Sequence, residues 1–306
     1  MEPETPSASG GIRGLVLAGL ETREAIALVM RELAAAGIDG PGRDARLLLL
    51  GALNITGTDL LRAPERRLSE DEAERLGGFI RRRIAREPVS RILGERGFYG
   101  RTFRVTPATL DPRPCTETVV EAALEIAERE GWRERPIRIL DVGTGSGALL
   151  VTLLAELPLA TGVGTDISDA ALEAARENAE RLGVGARAVF LNRRSLDGVE
   201  GPFDMLVSNP PYIPSGDIAG LEPEVREFDP AGALDGGADG LDIYRELAAG
   251  LPHLVPAGWA LLEVGAGQAK DVESAFRAAG GAAVAQVRTW MDLGQHERCV
   301  AVQTQH

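Results

Sequence analysis

The sequence contains few of the residues that bind metals or form disulfides. Only two cysteines, Cys115 and Cys299, occur among 306 residues. This excludes a disulfide framework and a zinc-binding cysteine pattern. The three histidines, His253, His296 and His306, are isolated from one another in the sequence. We therefore expect a protein without a metal centre.

Long apolar runs are also missing. No stretch approaches the 18 or so consecutive apolar residues that a membrane-spanning helix needs. Residues 1–11 are acidic and rich in Pro, Ser and Gly, unlike the basic and then apolar layout of a signal peptide. We expect a disordered tail over these residues, and a cytoplasmic, reduced, soluble protein with no membrane partner.

Net positive charge is absent from the chain as a whole, which carries a formal charge of −13. This argues against a general nucleic-acid binder, and no direct binding of duplex DNA is expected, because phosphate recognition needs clustered basic surface. Residues 62–104 differ, with 12 arginines against 7 acidic residues. This segment is either a basic patch facing RNA or an acidic partner, or a solvated helix face with interleaved charges, which is the simpler interpretation.

The first part of the chain, residues 12–97, reads as a small helical domain. Apolar residues recur at helical spacing over 22–36, where Thr22 is a candidate cap, and further helices are expected over 43–53 and 69–86. Ser69 and Glu72 have the spacing of a capping box. Residues 98–110 are expected to form a hairpin or extended linker, and the prolines that follow stiffen the junction to a domain of residues 111–306.

Strand and helix patterns alternate in this second domain. The expected strands cover residues 138–142, 161–166, 186–191, 203–208 and 259–264, followed by a closing hairpin of 283–288 with 298–303. The expected helices cover residues 116–130, 148–157, 169–182, 241–251 and 268–279. Repeated strand–helix units predict an α/β fold with a mostly parallel, seven-stranded, Rossmann-like sheet covered by helices on both faces.

A glycine-rich turn follows the first of these strands. It reads Asp141-Val142-Gly143-Thr144-Gly145-Ser146-Gly147 and leads into a helix, which is typical of a nucleotide cofactor site. The second strand ends at Asp166, where a carboxylate can accept both ribose hydroxyl groups. The same glycines also satisfy the fingerprint of dinucleotide-binding sites. The structural alternatives are a turn that binds no ligand and an Asp166 that only caps the next helix. These features predict an adenosine-ribose site without choosing the cofactor.

The fourth strand ends in Asn209-Pro210-Pro211-Tyr212, at the edge of the sheet where ligands bind. An amide or aromatic amine nitrogen is a poor nucleophile because its lone pair is delocalised. The Asn209 side-chain oxygen and the Pro210 carbonyl can each accept one N–H from such a nitrogen and favour the positive charge that develops on it. Pro210 and Pro211 make the loop rigid, and Tyr212 offers a flat face for a planar substrate group. A simple proline turn is the alternative, which this position in the fold disfavours.

Together with several flanking segments, these motifs resemble the HemK/PrmC family, the glutamine N5-methyltransferases of peptide chain release factors. The resemblance covers most of the chain. It rests on residues 91–94 with 98–100, 109–117, 140–147, 207–213, 222–225 with 228–230, and 236–240.

The resemblance implies a class I S-adenosylmethionine-dependent methyltransferase whose N-terminal helical domain recognises the release factor. Its substrate would be the glutamine of the Gly-Gly-Gln motif in bacterial class I release factors. The implied cofactor contacts are Asp141, Gly143, Thr144, Gly145, Ser146, Gly147, Asp166, Arg194 and Asn209. Asn209, Pro210, Pro211 and Tyr212 would bind the glutamine, with Asn209, Pro210 and Tyr212 as the catalytic residues.

The sequence departs from the family pattern at Asp111, at Cys115 and at the pair Arg193-Arg194 near the expected adenine position. For Cys115, a role as a small side chain that fills space is favoured over a redox role.

Other functions also fit the tetrapeptide Asn209-Pro210-Pro211-Tyr212. They are glutamine methylation of a ribosomal protein, adenine-N6 methylation of nucleic acid, and a non-catalytic, ribosome-associated binding module.

Overall fold

The computed structural model describes residues 16–305, and the expected tail over residues 1–11 lies outside them. The chain divides into two compact units, and the division falls after Leu93. It thus lies four residues before the boundary expected at residue 97.

The first unit is helical, as predicted. Its helices are α1 (Thr22–Ala35), α2 (Pro41–Leu53), α3 (Gly57–Arg62), α4 (Glu70–Ile84) and α5 (Val89–Leu93). Apolar side chains of these helices form one core, because each helix turns a single apolar stripe inward. The predicted capping box is confirmed, since the Glu72 N–H donates to Ser69 Oγ and the Ser69 N–H donates to the Glu72 carboxylate.

The predicted cap of α1 is wrong. Glu21 is the N-cap, and Thr22 is the first residue of the helix. The Thr22 hydroxyl instead donates a hydrogen bond to the Pro64 carbonyl, 2.7 Å away. Thr22 is fully buried, so its hydroxyl needs a partner inside the unit and finds one on the loop before α4.

The second unit opens with a hairpin of β1 (Glu95–Phe98) and β2 (Arg101–Arg104). It begins three residues before the expected segment, and Tyr99 and Gly100 form its turn. Both residues have positive φ, 46° and 70°, which suits the tight turns that join twisted antiparallel strands. Helix α6 (Glu117–Arg129) follows.

A seven-stranded sheet forms the centre of the second unit, as predicted. Its strands are β3 (Arg138–Val142), β4 (Thr161–Asp166), β5 (Ala188–Asn192), β6 (Met205–Ser208), β7 (Trp259–Glu263), β8 (Val284–Met291) and β9 (Glu297–Thr304). Their order is β5-β4-β3-β6-β7-β9-β8. Strands β3 to β7 are mutually parallel, whereas β9 is antiparallel to β7 and to β8.

Helices cover both faces of this sheet. They include α6 and also α7 (Ala148–Glu156), α8 (Asp169–Arg181), α10 (Asp242–Leu254) and α11 (Ala269–Gly280), whereas the short α9 (Pro223–Arg226) buries none of its residues. Successive strand residues point to opposite faces, so Ile139 packs in the cluster with α6, α7 and α8, while Leu140 packs in the cluster with α10 and α11. Strands β6 and β7 are buried at every residue, and this two-sided burial explains why they are almost entirely apolar.

The arginine-rich segment 62–104 forms many ion pairs within each unit. Four of them are Arg66–Glu72, Arg82–Glu87, Arg101–Glu156 and Arg104–Glu177. Arg83 is buried and pairs with Asp44 at 2.8 Å. These pairings favour interleaved charges over a basic patch facing RNA.

Candidate active site

A cavity of about 750 Å³ opens at the carboxyl ends of β3, β4 and β6, within the second unit. The chain builds β3, β4 and β5 in one direction across the sheet and then returns to place β6 on the other side of β3. This reversal is a topological switch point, where open α/β sheets leave a crevice between the loops. The register aligns Val142 with both Thr165 and Ser208, so the loops after these three strands start at the same level.

The glycine-rich turn lines one wall of the cavity. Gly143, Gly145 and Gly147 all have positive φ, between 55° and 79°, so the turn depends on glycine at these positions. At Gly147 a Cβ atom would also lie only 3.1 Å from Val151 and 3.3 Å from Ala175. The turn can therefore bring its backbone close to a ligand at the start of α7.

Asp141 lies beneath this turn and is 1% exposed. Its Oδ2 accepts hydrogen bonds from the Thr144 hydroxyl at 2.7 Å and from the Leu150 N–H at 3.3 Å. In the described part of the chain its Oδ1 has no hydrogen-bond partner. Burial, together with the nearby charge of Asp166, raises the pKa of Asp141 to about 7. Because Asp141 also lines the cavity, the carboxylate has an unused acceptor for a positively charged ligand.

Asp166 lies at the end of β4 and lines the cavity. Its Oδ2 accepts the Gly145 N–H at 3.0 Å, which ties β4 to the glycine turn, and its Oδ1 accepts the Ser168 N–H at 2.9 Å. The alternative in which Asp166 caps the next helix is wrong, since Ser168 is the N-cap of α8. Each carboxylate oxygen retains a further lone pair, so both can still accept hydroxyl groups of a ligand.

Asn209, Pro210 and Pro211 line the cavity next to the end of β6. The Asn209 side-chain nitrogen donates to Thr116 Oγ1 at 3.2 Å. An amide group is planar, with its oxygen and nitrogen on separate branches. With the nitrogen bonded to Thr116, the oxygen is the group left to accept a hydrogen bond from a substrate.

Tyr212 is placed differently from the other three residues of the motif, since it is not among the described residues that line the cavity. Its hydroxyl donates to Glu263 Oε1 at 3.3 Å, and its carbonyl accepts Gln268 Nε2 at 2.9 Å. Gly240 packs so closely against the Tyr212 carbonyl that a Cβ atom there would overlap it. These contacts hold the loop in place, whereas stacking of the ring on a substrate stays a prediction.

Two segments that line the cavity are joined by an ion pair. Pro112 and Pro230 both line the cavity. The residues beside them, Arg113 and Asp229, pair at 2.7 Å, and the Asp229 side chain is 1% exposed. This pair holds the segment before α6 against the loop after α9.

Arg193, Arg194 and Ile167 also line the cavity. The Arg194 side chain is 71% exposed and pairs with Glu246 at 3.2 Å, so its guanidinium lies at the rim. Ile167 is 65% exposed although it is apolar, and it follows Asp166 directly. An exposed apolar side chain beside a cavity suits a flat ring such as adenine. Contact between Arg194 and a cofactor stays a prediction.

Cys115 lies close to this site, with its sulfur 3.9 Å from Glu263 Oε1. Burial, with the charge of Glu263 as a second cause, raises the pKa of the Cys115 thiol. A raised pKa keeps sulfur in the unreactive thiol form, which favours the filler role over a redox role.

Among residues 16–305, no group of three or more His, Cys, Asp or Glu side chains is placed to hold a metal ion. Over the same range, every helix is too short or too polar to cross a membrane.

Sequence reasoning missed Thr116 and Glu263 as individual residues of the site. Thr116 is 4% exposed and Glu263 is fully buried, although β7 is otherwise apolar. The signal that points to Glu263 is a single acidic residue at the C-terminal end of an otherwise apolar strand. Burying such a charge lowers the stability of the fold, so its presence there indicates a functional role.

Comparisons with known proteins agree with this geometry. Residues 24–94 match the PrmC N-terminal domain family, and residues 129–219 match the methyltransferase small domain family. The release factor glutamine methyltransferase of Rhodospirillum rubrum is 50% identical over 88% of this chain and 80% of its own length. The enzyme of that name from Bradyrhizobium diazoefficiens is 49% identical over 84% of this chain and 88% of its own length.

The solved structures that resemble this chain include a catalytic domain with the same kind of fold. The catalytic domain of hMettl16 superposes with a TM-score of 0.52 at 16% identity, covering 66% of this chain and 74% of that domain. At this level of identity the likeness concerns the fold alone.

Proposed function

The chain belongs to the release factor glutamine methyltransferase family, and from this premise we propose the reaction of its site. The protein transfers a methyl group from S-adenosylmethionine to the N5 nitrogen of the glutamine in the Gly-Gly-Gln motif of bacterial class I release factors. The observation that carries the proposal is the position of Asn209. Its amide lines the cavity at the switch point, with the nitrogen bonded to Thr116 and the oxygen left for the substrate.

The residues that line the cavity fit S-adenosylmethionine. The unpartnered oxygen of Asp141 suits the α-ammonium group at the amino acid end of this cofactor. The glycine turn leaves room for the ligand to approach the backbone, and Asp166 accepts the ribose hydroxyl groups. When bound, the cofactor supplies an electrophilic methyl group on a sulfonium centre.

Asn209 and Pro210 supply the acceptors for the substrate nitrogen. The Asn209 side-chain oxygen and the Pro210 carbonyl each accept a hydrogen bond from one N–H of the glutamine amide. These two bonds orient the nitrogen lone pair for attack on the methyl group. Both oxygens carry partial negative charge, so they stabilise the positive charge that develops on nitrogen in the transition state. The two prolines and the contacts of Tyr212 hold these oxygens in place before the substrate arrives.

We assign recognition of the release factor to the helical first unit, residues 22–93. This unit matches the PrmC N-terminal domain family and has its own core. A protein substrate such as a release factor would also explain why the chain has a separate helical domain. Methylation of a small molecule would not require one.

The test is transfer of a labelled methyl group from S-adenosylmethionine to purified, unmodified release factor. The matched control is the same release factor with its Gly-Gly-Gln glutamine changed to glutamate, which removes the acceptor nitrogen. We expect label on the first protein and none on the second. A ribosomal-protein fraction and adenine-containing DNA are offered in parallel reactions.

Label on a ribosomal protein, or on adenine, in place of the release factor would contradict the proposal in favour of those substrates. Cofactor binding in calorimetry without transfer to any acceptor would favour a non-catalytic binding module.

A further inference from the structure

A side-chain amide joins the loop of the tetrapeptide to the loop that follows β7. Gln268 Nε2 donates to the Tyr212 carbonyl at 2.9 Å, and Gln268 Oε1 accepts the Gly265 N–H at 2.9 Å. Strands β6 and β7 are parallel neighbours, with Ser208 opposite Leu262, so the two loops leave the sheet side by side. The amide group of Gln268 therefore has one partner on each loop and connects them.

Two glycines leave the space that this amide group occupies. A Cβ atom at Gly265 would lie 2.5 Å from Gln268 Oε1, and a Cβ atom at Gly240 would lie 2.8 Å from Gln268 Nε2. Gly265 does not have a positive φ, so the nearby side chain, rather than the backbone conformation, requires glycine there. Three segments distant in sequence thus meet around one amide group.

Capping of the next helix does not explain why residue 268 is glutamine. Gln268 is the N-cap of α11, but its side chain makes no capping hydrogen bond. Ser, Thr, Asp and Asn are the residues that cap helices well, because their short side chains reach the free N–H groups of the first turn. The Gln268 side chain bonds to the two loops instead.

The Tyr212 carbonyl is linked covalently to the candidate acceptor, the Pro210 carbonyl, two residues earlier in the chain. Peptide bonds are planar and the proline rings fix φ at Pro210 and Pro211, so few torsions between the two carbonyls can change. The carbonyl between them, that of Pro211, is also confined, since a Cβ atom at Gly236 would lie 2.7 Å from it. Anchoring the Tyr212 carbonyl therefore limits the directions in which the Pro210 carbonyl can point.

We propose that Gln268 is a positioning residue that holds the Pro210 carbonyl toward the substrate nitrogen by anchoring the Tyr212 carbonyl. This inference rests on the proposed function, because it concerns one of the two oxygens that accept the glutamine N–H groups. The other acceptor, the Asn209 side chain, has its own anchor in Thr116. Gln268 is not among the described residues that line the cavity, so it acts through the loop rather than on the substrate or cofactor.

The first test is Gln268→Glu, which keeps the size of the side chain and the acceptor for the Gly265 N–H. It removes the donor and places a carboxylate oxygen against the Tyr212 carbonyl. We expect kcat for methyl transfer to fall by about 10- to 100-fold, because a small displacement of an oriented group is costly. The dissociation constant of S-adenosylmethionine should change by less than about twofold, because the cavity keeps all the residues that line it.

Two further variants separate positioning from packing. Gln268→Met fills a similar space without any hydrogen bond and should also lower kcat. Gln305→Glu is the matched control, because Gln305 Nε2 also donates to a backbone carbonyl, that of Ala282 at 3.0 Å, but does not line the cavity. This control should leave kcat unchanged.

A spectroscopic measurement reads the Pro210 carbonyl without any turnover. Pro210-Pro211 is the only pair of adjacent prolines in the sequence. Proline labelled with ¹³C at the carbonyl and with ¹⁵N therefore gives a single directly bonded ¹³C–¹⁵N correlation, which belongs to the Pro210 carbonyl and the Pro211 nitrogen. In carbon-detected spectra Gln268→Glu should shift or broaden this signal, whereas Gln305→Glu should leave it in place.

An unchanged kcat or an unchanged Pro210 signal in Gln268→Glu would overturn the inference. A loss of cofactor affinity as large as the loss in kcat would overturn it as well, because Gln268 would then support the cavity as a whole. If Gln268→Glu does not fold, full activity of Gln268→Met would decide against the inference. A Pro210 signal that responds to Gln268→Glu, in a protein whose wild type transfers no methyl group to release factor, would contradict the proposed function and leave the positioning of Pro210 standing.

Discussion

Replacing Asp141 by asparagine should make the protein more stable near neutral pH and weaken its binding of S-adenosylmethionine. Asp141 is 1% exposed, and its Oδ1 has no partner among the described residues. Asparagine keeps an oxygen for the Thr144 hydroxyl and the Leu150 N–H, which bond to Oδ2 in the wild type. The substitution thus removes a buried charge and preserves the hydrogen bonds beneath the glycine turn.

The direction of the pH dependence follows from the raised pKa of Asp141. An unfolded aspartate titrates near pH 4, whereas burial raises the pKa of Asp141 to about 7 in the folded protein. Between these values the folded state binds more protons than the unfolded state, so the free energy of unfolding falls as pH rises. The destabilisation is complete above pH 7 and is absent below pH 4.

The size of the effect follows from the same shift. About three pKa units at about 1.4 kcal/mol each give an upper bound of about 4 kcal/mol. Relaxation around a buried charge reduces this bound, and we expect Asp141→Asn to gain about 1–3 kcal/mol at pH 8 and less at pH 5. The affinity for S-adenosylmethionine should fall by about tenfold or more, because the α-ammonium group of the ligand loses its negatively charged partner.

Urea denaturation at pH 5 and pH 8 measures the stability difference, and calorimetry measures the affinity of each protein for the cofactor. A variant less stable than the wild type at pH 8 would refute the reasoning. An equal gain at both pH values would refute it as well, because the gain would then not come from the ionisation of Asp141.

Two further substitutions test the loop of the tetrapeptide. Gly240→Ala should lower both stability and methyl transfer, because its φ of 77° disfavours a side chain and a Cβ atom would overlap the Tyr212 carbonyl. The matched Gly220→Ala, where no atom lies within 4 Å of the new Cβ, should leave both measurements nearly unchanged. Asn209→Ala should retain cofactor affinity in calorimetry and lower kcat by about two orders of magnitude or more, and an equal loss of both would show that Asn209 mainly holds the cofactor.

The sheet and its glycine turn could be predicted because their signals are local in sequence. Apolar runs of strand length alternate with amphipathic segments, which indicates a parallel sheet whatever the details of packing. The positive φ values of Gly143, Gly145 and Gly147 likewise follow from a residue type that permits them. The start of the hairpin could not be predicted, because Phe98 is the only buried residue of its first strand.

The contacts of the tetrapeptide with Thr116 and Glu263 could not be predicted, because they join residues distant in sequence. Thr116 precedes α6, Asn209 follows β6 and Glu263 ends β7, and only the order of strands in the sheet brings them together. The direction of the Tyr212 side chain depends on one of these contacts, since its hydroxyl donates to Glu263. Local patterns identify such residues as polar, but not the partner that each will meet.

The proposed reaction depends on two oxygens, those of the Asn209 side chain and the Pro210 carbonyl, that both accept hydrogen bonds from the substrate nitrogen. The most direct measurement is a crystal structure of the protein with S-adenosylhomocysteine and a peptide containing Gly-Gly-Gln. We predict that the glutamine side-chain nitrogen lies about 3 Å from both the Asn209 side-chain oxygen and the Pro210 carbonyl oxygen. A glutamine bound with its oxygen toward Asn209, or with its nitrogen outside hydrogen-bond distance of either group, would contradict the account.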